Sequence, residues 1–348
     1  MSAKIRGAAF RRLGVIRGSK RRFLPGLCAF MAFVVLTTSA TAQDTPTPIT
    51  IALSSNALPY GGLFIAEKAG LFAKHGLQPK LIVMDSGNAA MTALIAGSAQ
   101  FSASGPGEVL AARSRGQNVV IVANFYRGLS ASVVLAKTVA DRLPVGANAS
   151  VKERFRALDG LTIAAPSATS AYLHPIKSAA EAAGAKIKFI YMAQPAMVAA
   201  LQAGAIQGMI AASPYAAVPV AKGTGVAWIS GPKGELPPEV QPSSSACLQT
   251  SEQYASANPA TIARMRAVLA DLAQYIKDKP SDAKRNLAQA YTQLDSAAID
   301  LAFAQDSGNW ARPDFTEADI LQEIRILESA GLVSGVAAIK PSAVLWKK

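Results

Sequence analysis

The sequence is poor in cysteine and histidine, with two of each among its 348 residues. Cys28 lies in an N-terminal segment that we expect to be removed, which leaves Cys247 alone in the rest of the chain. A single cysteine excludes a disulfide bond within that remainder and a metal site built from thiolates. The chain also lacks a Gly-x-Ser-x-Gly nucleophile elbow, a phosphate-binding loop and histidines at metal-ligand spacing. These absences argue against an enzyme, and we expect no catalytic residue, no cofactor and no metal.

Each histidine has an ordinary explanation. His75 comes just before Gly76, at the end of a predicted helix, where the helix dipole favours a cation. His174 lies one turn into another predicted helix and next to Pro175, near a polar loop considered below. Neither position indicates catalysis.

The N-terminal apolar run, residues 27–36, is too short to span a membrane, which takes about 20 residues. Eight basic residues and no acidic one precede it, and Ala40-Thr41-Ala42 follows it. A basic start, a short apolar core and a small-x-small site are typical of a secretory signal peptide. We therefore expect residues 1–42 to be cleaved after Ala42 and the mature protein to be periplasmic. Residues 19–24 resemble a twin-arginine signal with Lys20 in place of the first arginine, so the Sec and twin-arginine routes both remain open.

Removing this segment changes the charge of the chain. The full sequence has 35 basic and 22 acidic residues and a net charge of +13. Eight basic residues leave with the signal, so 27 remain against 22 acidic ones, or +5. A charge of +5 on a chain of this size does not indicate a nucleic-acid partner.

The most informative pattern is a repeat: residues 81–100 resemble residues 189–207. With one residue deleted, the matched pairs are Met84 and Met192, Leu94 and Leu201, Gly97 and Gly204, and Gln100 and Gln207. The spacing of roughly 110 residues is too long for a solenoid and is the size of a small domain. The repeat therefore predicts two similar lobes with a cleft between them.

Predicted strands and helices alternate within both copies. The first copy has short β-branched runs at residues 49–53, 80–84, 101–104 and 119–125, and amphipathic helical patterns between them at 61–75, after 88 and at 108–114. The second copy has strand patterns at residues 132–136, 161–165, 207–212 and 225–230. The polar, irregular segment at 143–156 is expected to be an insert or a helix on the surface, and Ser213-Pro214-Tyr215 is expected to open the next helix. Such alternation predicts an α/β fold with a largely parallel sheet in each lobe.

The C-terminal third is predicted to be helical scaffolding. Residues 246–250 are expected to cross back to the first lobe. Asn258 and Pro259 are typical of a helix start, and Thr316 with Asp319 resembles a capping box. The expected division is residues 43–131 and 246–348 for the first lobe and 132–245 for the second lobe.

Several of these segments resemble one known family. The stretches that carry the resemblance are Phe64-Ile-Ala-Glu-Lys-Ala-Gly-Leu-Phe72 with Gly76-Leu77, Leu158-Asp159-Gly160-Leu-Thr-Ile-Ala, Ala200-Leu-Gln-Ala-Gly-Ala-Ile-Gln-Gly208, and Pro214-Tyr215. They look like the substrate-binding proteins of sulfonate, nitrate and taurine transporters, the group called NMT1/THI5-like. The resemblance implies a type II periplasmic binding protein fold, with two α/β lobes joined by two crossing segments and a ligand cleft between them. It also implies the solute-binding component of an ABC importer.

The residue before the Pro-Tyr pair does not indicate which ligand binds. Members commonly carry an acid or another polar residue there, and this chain has Ser213. Sulfonate, nitrate, a pyrimidine and an aromatic acid all remain open as the solute. Eukaryotic relatives include a pyrimidine-forming enzyme that uses a cysteine-rich motif, and the lone Cys247 makes that activity a remote alternative.

Ligands of parallel sheets bind where strands end and helices begin. The candidate contacts are the polar and glycine residues of the loops at that edge: Ser55, Asn56, Tyr60, Ser86, Gly87, Asn88, Ser104, Gly105, Arg127, Ser167, Thr169, Ser170, Ser213 and Tyr215. Serines and asparagines at helix starts are also common plain caps, and Arg127 is as readily an exposed charge near the crossing.

The expected mechanism is closure of the two lobes around a small polar or anionic solute. The expected partners are that solute and a membrane permease, and the protein is expected to be a monomer. A sensor that presents its ligand to a membrane receptor would use the same cleft, so the sequence leaves that alternative open.

Overall fold

The computed structural model describes residues 45–166, 170–310, 314–331 and 333–347. The predicted signal peptide lies outside these residues. Two five-stranded sheets, each mixed and covered by helices, organise the described chain. The first sheet has the order β2-β1-β3-β10-β4 and the second has the order β7-β6-β8-β5-β9. The strands are β1 (Thr47–Leu53), β2 (Leu77–Val83), β3 (Phe101–Ser104), β4 (Val119–Arg127), β5 (Ala131–Ala136), β6 (Thr162–Ala165), β7 (Lys188–Tyr191), β8 (Gly208–Ala212), β9 (Gly225–Ser230) and β10 (Ser244–Ser251).

Helices fill the connections and the C-terminal third. The α-helices are α1 (Gly61–Lys68), α2 (Leu71–Lys74), α3 (Gly87–Ile95), α4 (Pro106–Ser114), α5 (Lys137–Ala140), α6 (Val151–Arg156), α7 (Leu173–Ala182), α8 (Gln194–Gln202), α9 (Ala217–Ala221), α10 (Glu252–Ala257), α11 (Pro259–Asp278), α12 (Pro280–Ala288), α13 (Ser296–Asp306), α14 (Glu317–Ser329) and α15 (Pro341–Val344). Short 3₁₀ helices lie at Leu58–Tyr60, Pro238–Val240, Ser307–Asn309 and Val336–Ala338. In the part of the chain described, no helix is both long and apolar enough to cross a membrane.

The two sheets have the same plan. In each, one strand pairs in parallel with a neighbour on either side, as β1 does with β2 and β3 and as β6 does with β7 and β8. Each sheet also contains one antiparallel strand that arrives by a chain crossing. β5 follows β4 of the first sheet but pairs with β8 and β9, whereas β10 follows β9 of the second sheet but pairs with β3 and β4. The chain therefore passes between the sheets twice.

Matching hydrogen bonds confirm the sequence repeat. Gln100 accepts a hydrogen bond from the backbone N–H of Thr50 at 2.8 Å, and Gln207 accepts one from Thr162 at the same distance. The N–H of each glutamine in turn donates to the carbonyl of the same threonine, at 3.1 and 3.0 Å. The paired glycines also adopt the same left-handed backbone, with φ of +75° at Gly97 and +72° at Gly204.

A separate hydrophobic core supports each sheet. Buried side chains of the first sheet pack with α1, α11, α12 and α13, as predicted for the C-terminal scaffold. The second sheet packs on α6 and α7, around the fully buried Trp228 and Phe155. Tyr172 contacts both cores, so it lies where the two halves meet.

Four local predictions were wrong in detail. Residues 61–75 form two helices rather than one, because Gly70 adopts a left-handed φ of +72° between α1 and α2. Residues 143–156 contain the expected helix, α6, but the segment is not entirely at the surface, since α6 buries Phe155. Ser213-Pro214-Tyr215 does not open a helix directly, since α9 begins at Ala217.

The fourth concerns the start of α11. Asn258 occupies the N-cap position, but its side chain does not cap the helix. It donates instead to the carbonyl of Tyr254 at 3.0 Å. The Thr316 and Asp319 capping box at the start of α14 is confirmed.

Candidate ligand cleft

The candidate cleft lies where the carboxyl ends of the strands in the two sheets meet. Leu58, after β1, donates its backbone N–H to the carbonyl of Ser213, after β8, at 2.8 Å. Ala212 and Ala217 of the second half pack into the core of the first half. The loops predicted to form the site therefore come into contact.

Tyr60 is the most deeply placed of the predicted residues on the β1 side. It is buried, and its ring meets that of Phe125 edge-on with centroids 6.3 Å apart. Burial raises the pKa of Tyr60 well above its usual value, nearby Tyr172 and Glu108 raise it further, and a hydrogen bond with the Ser54 side chain opposes them. Ser55 and Asn56 are half-buried beside it.

The predicted residues at the start of α3 have a capping role. The Ser86 hydroxyl accepts a hydrogen bond from the N–H of Ala89 at 3.1 Å. Both Ser86 and Asn88 have exposed side chains. The structure thus assigns Ser86 a cap and places Asn88 on the exposed face of the first turn of α3.

The Ser104 hydroxyl forms a hydrogen bond within the first sheet. Ser104 is fully buried and donates to Gln249 Oε1 at 2.8 Å. Gln249 Nε2 donates back to the carbonyls of Ser104 and Gly105, at 3.0 and 2.9 Å. This exchange joins β3 to β10 just below the cleft.

Glu108 is a feature of the cleft that the sequence interpretation missed. A Cβ atom added to Gly87 would lie 2.1 Å from Glu108 Oε1, and one added to Gly105 would lie 3.0 Å from Oε2. The carboxyl therefore fills the space between the starts of α3 and α4. Part of the side chain remains exposed. Burial of the carboxyl nevertheless raises the pKa of Glu108 to about 7, and the backbone N–H groups of Glu108 and Gly105 act in the opposite direction.

Asp306, at the end of α13, is the second carboxyl that was missed. It is fully buried between the two sheets, where Tyr126 at the end of β4 donates its hydroxyl to Oδ1. Ser213, after β8, interacts with the same carboxyl. Burial raises the pKa of Asp306 to about 7, while Tyr126 and Ser213 act to lower it. Oδ2 has no hydrogen-bond partner.

Tyrosines surround both carboxyls. Burial raises the pKa of Tyr172, a hydrogen bond with the Ser130 side chain lowers it, and both Glu108 and Asp306 raise it further. Burial also raises the pKa of Tyr291, and the nearby Tyr215 and Asp306 raise it further. Among the described residues, the Tyr291 hydroxyl has no hydrogen-bond partner. Tyr172, in the opposing half, therefore interacts electrostatically with both acids.

The predicted contacts of the second half are only partly described. Ser167 and Thr169 lie outside the described residues. The Ser170 hydroxyl accepts a hydrogen bond from the N–H of Tyr172 at 3.2 Å. Tyr215 is half-buried, and burial raises its pKa.

Arg127 lies apart from this group. Its side chain is exposed at the end of β4 and lines a surface cavity of about 400 Å³ together with Gly128, Asn309 and residues of the crossing before β10. The structure therefore brings Tyr60, Ser213 and Tyr215 together with Glu108 and Asp306, and leaves Arg127 at the crossing.

The described residues offer little for metal binding. No group of three or more histidine, cysteine, aspartate or glutamate side chains in this part of the chain could hold a metal ion. Cys247 is buried, and that burial raises the pKa of its thiol far above the usual range.

Solved structures share this architecture. The periplasmic aliphatic sulphonate binding protein SsuA from Escherichia coli is 17% identical, with a TM-score of 0.67 over 87% of this chain and 98% of its own. The periplasmic nitrate-binding protein NrtA from Synechocystis PCC 6803 is 15% identical, with a TM-score of 0.61 over 85% of both chains. A ligand-binding component of an ABC-type import system from Staphylococcus aureus, with zinc bound, is 13% identical, with a TM-score of 0.65 over 86% of this chain and 96% of its own. At these identities the likeness shows the fold, a type II periplasmic binding protein.

Sequence comparison identifies the family. None of the curated proteins compared matches this chain. The profile of the NMT1-like family matches residues 44–292, well over half of the sequence. The chain therefore belongs to the NMT1-like family.

Proposed function

We propose that the mature protein is the solute-binding component of an ABC importer and works in the periplasm after removal of residues 1–42. The observation that carries the proposal is the placement of buried polar side chains between two sheets that exchange one strand each. Asp306 and Tyr126 of the first half meet Ser213 of the second half at the carboxyl ends of the strands. Ligands of open α/β sheets bind at this edge.

The two crossings provide the flexible connection that such a protein needs. The lobes are proposed to comprise residues 43–131 with 246–348 and residues 132–245, and the joints lie between β4 and β5 and between β9 and β10. Rotation about two short crossings opens and closes the cleft without disturbing either core. A closed form then presents a surface to a membrane permease.

The predicted contacts divide into two groups within this proposal. Tyr60, Ser55, Asn56 and Tyr215 line the meeting edge and are proposed to touch the solute. The other predicted residues are proposed to support them, apart from Arg127, which lies at the crossing.

A binding role is also favoured over an enzymatic one. The neighbours in fold that carry a functional name are binding proteins or components of import systems. The lone Cys247 is buried and its thiol is protonated at neutral pH, because burial raises its pKa. It is therefore unsuited to act as a nucleophile.

A thermal-shift screen of the purified chain 43–348 tests the proposal. Solutes of several classes are added singly: sulfonates, nitrate, carboxylates, pyrimidines and organic amines. A solute at a hundred times its Kd stabilises the fold by about 2.7 kcal/mol, which gives a clear rise in Tm. A rise with one chemical class supports solute capture, whereas no rise, with no copurified small molecule by native mass spectrometry, contradicts it.

A further inference from the structure

We propose that the cleft selects a small organic cation, a solute whose protonated nitrogen is held by the carboxyl of Asp306 and whose positive charge is favoured by the carboxyl of Glu108. This inference rests on the proposed function, since it names the class of solute that the same cleft takes. It departs from the anionic solutes bound by the sulphonate-binding and nitrate-binding proteins that share the fold.

The chain itself fills the position that an anion would occupy. Anions bind to backbone N–H groups at helix starts. At the start of α4, the Glu108 carboxyl lies over Gly87 and Gly105, and the backbone N–H groups of Gly105 and Glu108 are close enough to lower its pKa. A negatively charged solute at this place would have to displace or approach a carboxylate.

The matching place in the second half is also filled. The N–H of Ala212, at the end of β8, donates to Gln194 Oε1 at 2.8 Å. Ala212 and Gly105 occupy equivalent positions, because each lies five residues after a matched glutamine, Gln207 and Gln100. Neither half therefore offers this backbone donor to an anion.

Asp306 provides an acceptor that the protein leaves unused. Its side chain is fully buried, Tyr126 donates to Oδ1, and Ser213 also interacts with the carboxyl. Among the described residues, Oδ2 itself has no hydrogen-bond partner. A buried carboxylate oxygen without a partner is costly, so such an atom points to a donor that comes from outside the protein. A protonated nitrogen supplies that donor and the opposite charge.

Within the part of the chain that the structure describes, no cation is paired with these acids. Among the described residues, no lysine, arginine or histidine forms an ion pair with Glu108 or Asp306. The groups that face the two acids are tyrosines, serines, Cys247 and Glu323. Tyrosine rings add to the attraction, because the face of an aromatic ring favours a cation.

A competition experiment tests the charge of the solute. The purified chain 43–348 is dialysed at pH 8 against a small-molecule extract of bacterial cells spiked with benzylamine, 4-aminopyrimidine, ethanesulfonate and nitrate. The retained molecules are released by denaturation and identified by mass spectrometry. The wild type is expected to retain solutes that carry a basic nitrogen and to exclude ethanesulfonate and nitrate.

Three variants assign the effect to residues. Asp306→Asn and Glu108→Gln keep the shape of each side chain and remove its charge. Each is expected to weaken binding of the retained solute about tenfold to a hundredfold, which is the loss of a charged hydrogen bond. Asp300→Asn removes an exposed acid on the same helix as Asp306, one that pairs with Lys284 at 2.7 Å, and it should bind as the wild type does. Melting curves of all variants confirm that they are folded.

The outcomes separate this inference from the proposed function. Retention of an anion without a basic nitrogen overturns the inference and leaves solute capture standing. A basic solute whose affinity is unchanged in both Asp306→Asn and Glu108→Gln overturns the assignment of these residues. A wild type that retains nothing overturns the proposed function and the inference with it.

Discussion

The two halves of the molecule repeat the same scaffold but differ at the edge that faces the cleft. Gln100 and Gln207 make the same hydrogen bonds to Thr50 and Thr162. Eight residues after each glutamine, however, the first copy has Glu108 and the second has Tyr215. The residues that hold the strands together are the same in both halves, and the residues at the edge proposed to meet the solute differ.

The same backbone donor illustrates the difference. The Glu108 carboxyl lies beside Gly105, whereas the N–H of Ala212 donates to the neutral amide of Gln194. Asp306 adds a second acid, bound to Tyr126 at the end of β4. The comparison therefore shows an acidic half opposed by a neutral, tyrosine-bearing half.

The largest expected effect is on the pH dependence of stability. Because the pKa of Asp306 is raised to about 7 in the folded protein, the folded state holds a proton that the unfolded state releases near pH 4. Ionisation of this group therefore destabilises the ligand-free protein as pH rises from about 4 to 7, by about 1.4 kcal/mol per pH unit and on the order of 4 kcal/mol in total. Asp306→Asn removes this pH-dependent destabilisation. The free energy of unfolding of the variant should therefore exceed that of the wild type, by an amount that grows as the pH rises from about 4 to 7.

Urea unfolding of both proteins at pH 5, 6, 7 and 8 measures the difference. The groups facing Asp306 are Tyr126, Tyr172, Tyr291 and Ser213, which do not titrate in this range. Parallel stability profiles of the two proteins would contradict the raised pKa.

A pair of tyrosine substitutions tests the contrast between the halves. Tyr126→Phe removes the hydroxyl that donates to Asp306, and it should cost about 1–3 kcal/mol at pH 8, where the carboxyl is ionised. The cost should be smaller at pH 5. Tyr215→Phe, in the half-buried position of the second half, should change stability by less than about 0.5 kcal/mol. Urea unfolding measures both variants. If Tyr126→Phe and Tyr215→Phe lost the same free energy of unfolding, the expected difference between the two halves would be contradicted.

A second matched pair tests the shared scaffold. Gln100→Ala and Gln207→Ala each leave a threonine N–H without its side-chain acceptor, and each should cost about 1–2 kcal/mol. Similar losses by chemical unfolding are expected, because the two contacts have the same length. If only one of the two variants lost stability, the hydrogen bonds of Gln100 and Gln207 would not contribute equally to the free energy of unfolding.

The smallest effect is expected at Arg127. Its side chain is exposed at the crossing and makes no ion pair with the described residues. Arg127→Ala should leave the Kd of the retained solute within about twofold of the wild type by titration calorimetry, since a rim charge contributes little to affinity. A tenfold loss would instead place Arg127 at the ligand.

The sequence was a good guide to the scaffold because the scaffold is local and repeated. The strand at Gly225–Ser230 was predicted to the residue, and the glutamine and glycine pairs of the repeat proved to have matching contacts. β-branched runs and glycine turns act over a few residues, so one chain suffices to find them.

The cleft was harder to predict because its chemistry is not local. Asp306 comes from the C-terminal third, which was interpreted as scaffold, and it reaches Tyr126 across 180 positions of sequence. Glu108 was assigned only to the start of a helix, since no sequence pattern shows that its carboxyl lies over Gly87. Only the folded chain brings these groups together.

The exchange of β5 and β10 between the sheets also determines when the chain can finish folding. β10 lies between β3 and β4, so the first sheet stays split until residue 251 of 348 has been made. Until then two strand edges lack their partner, and the first half cannot close independently of the second. The first sheet can therefore be completed only after more than two thirds of the chain has been made.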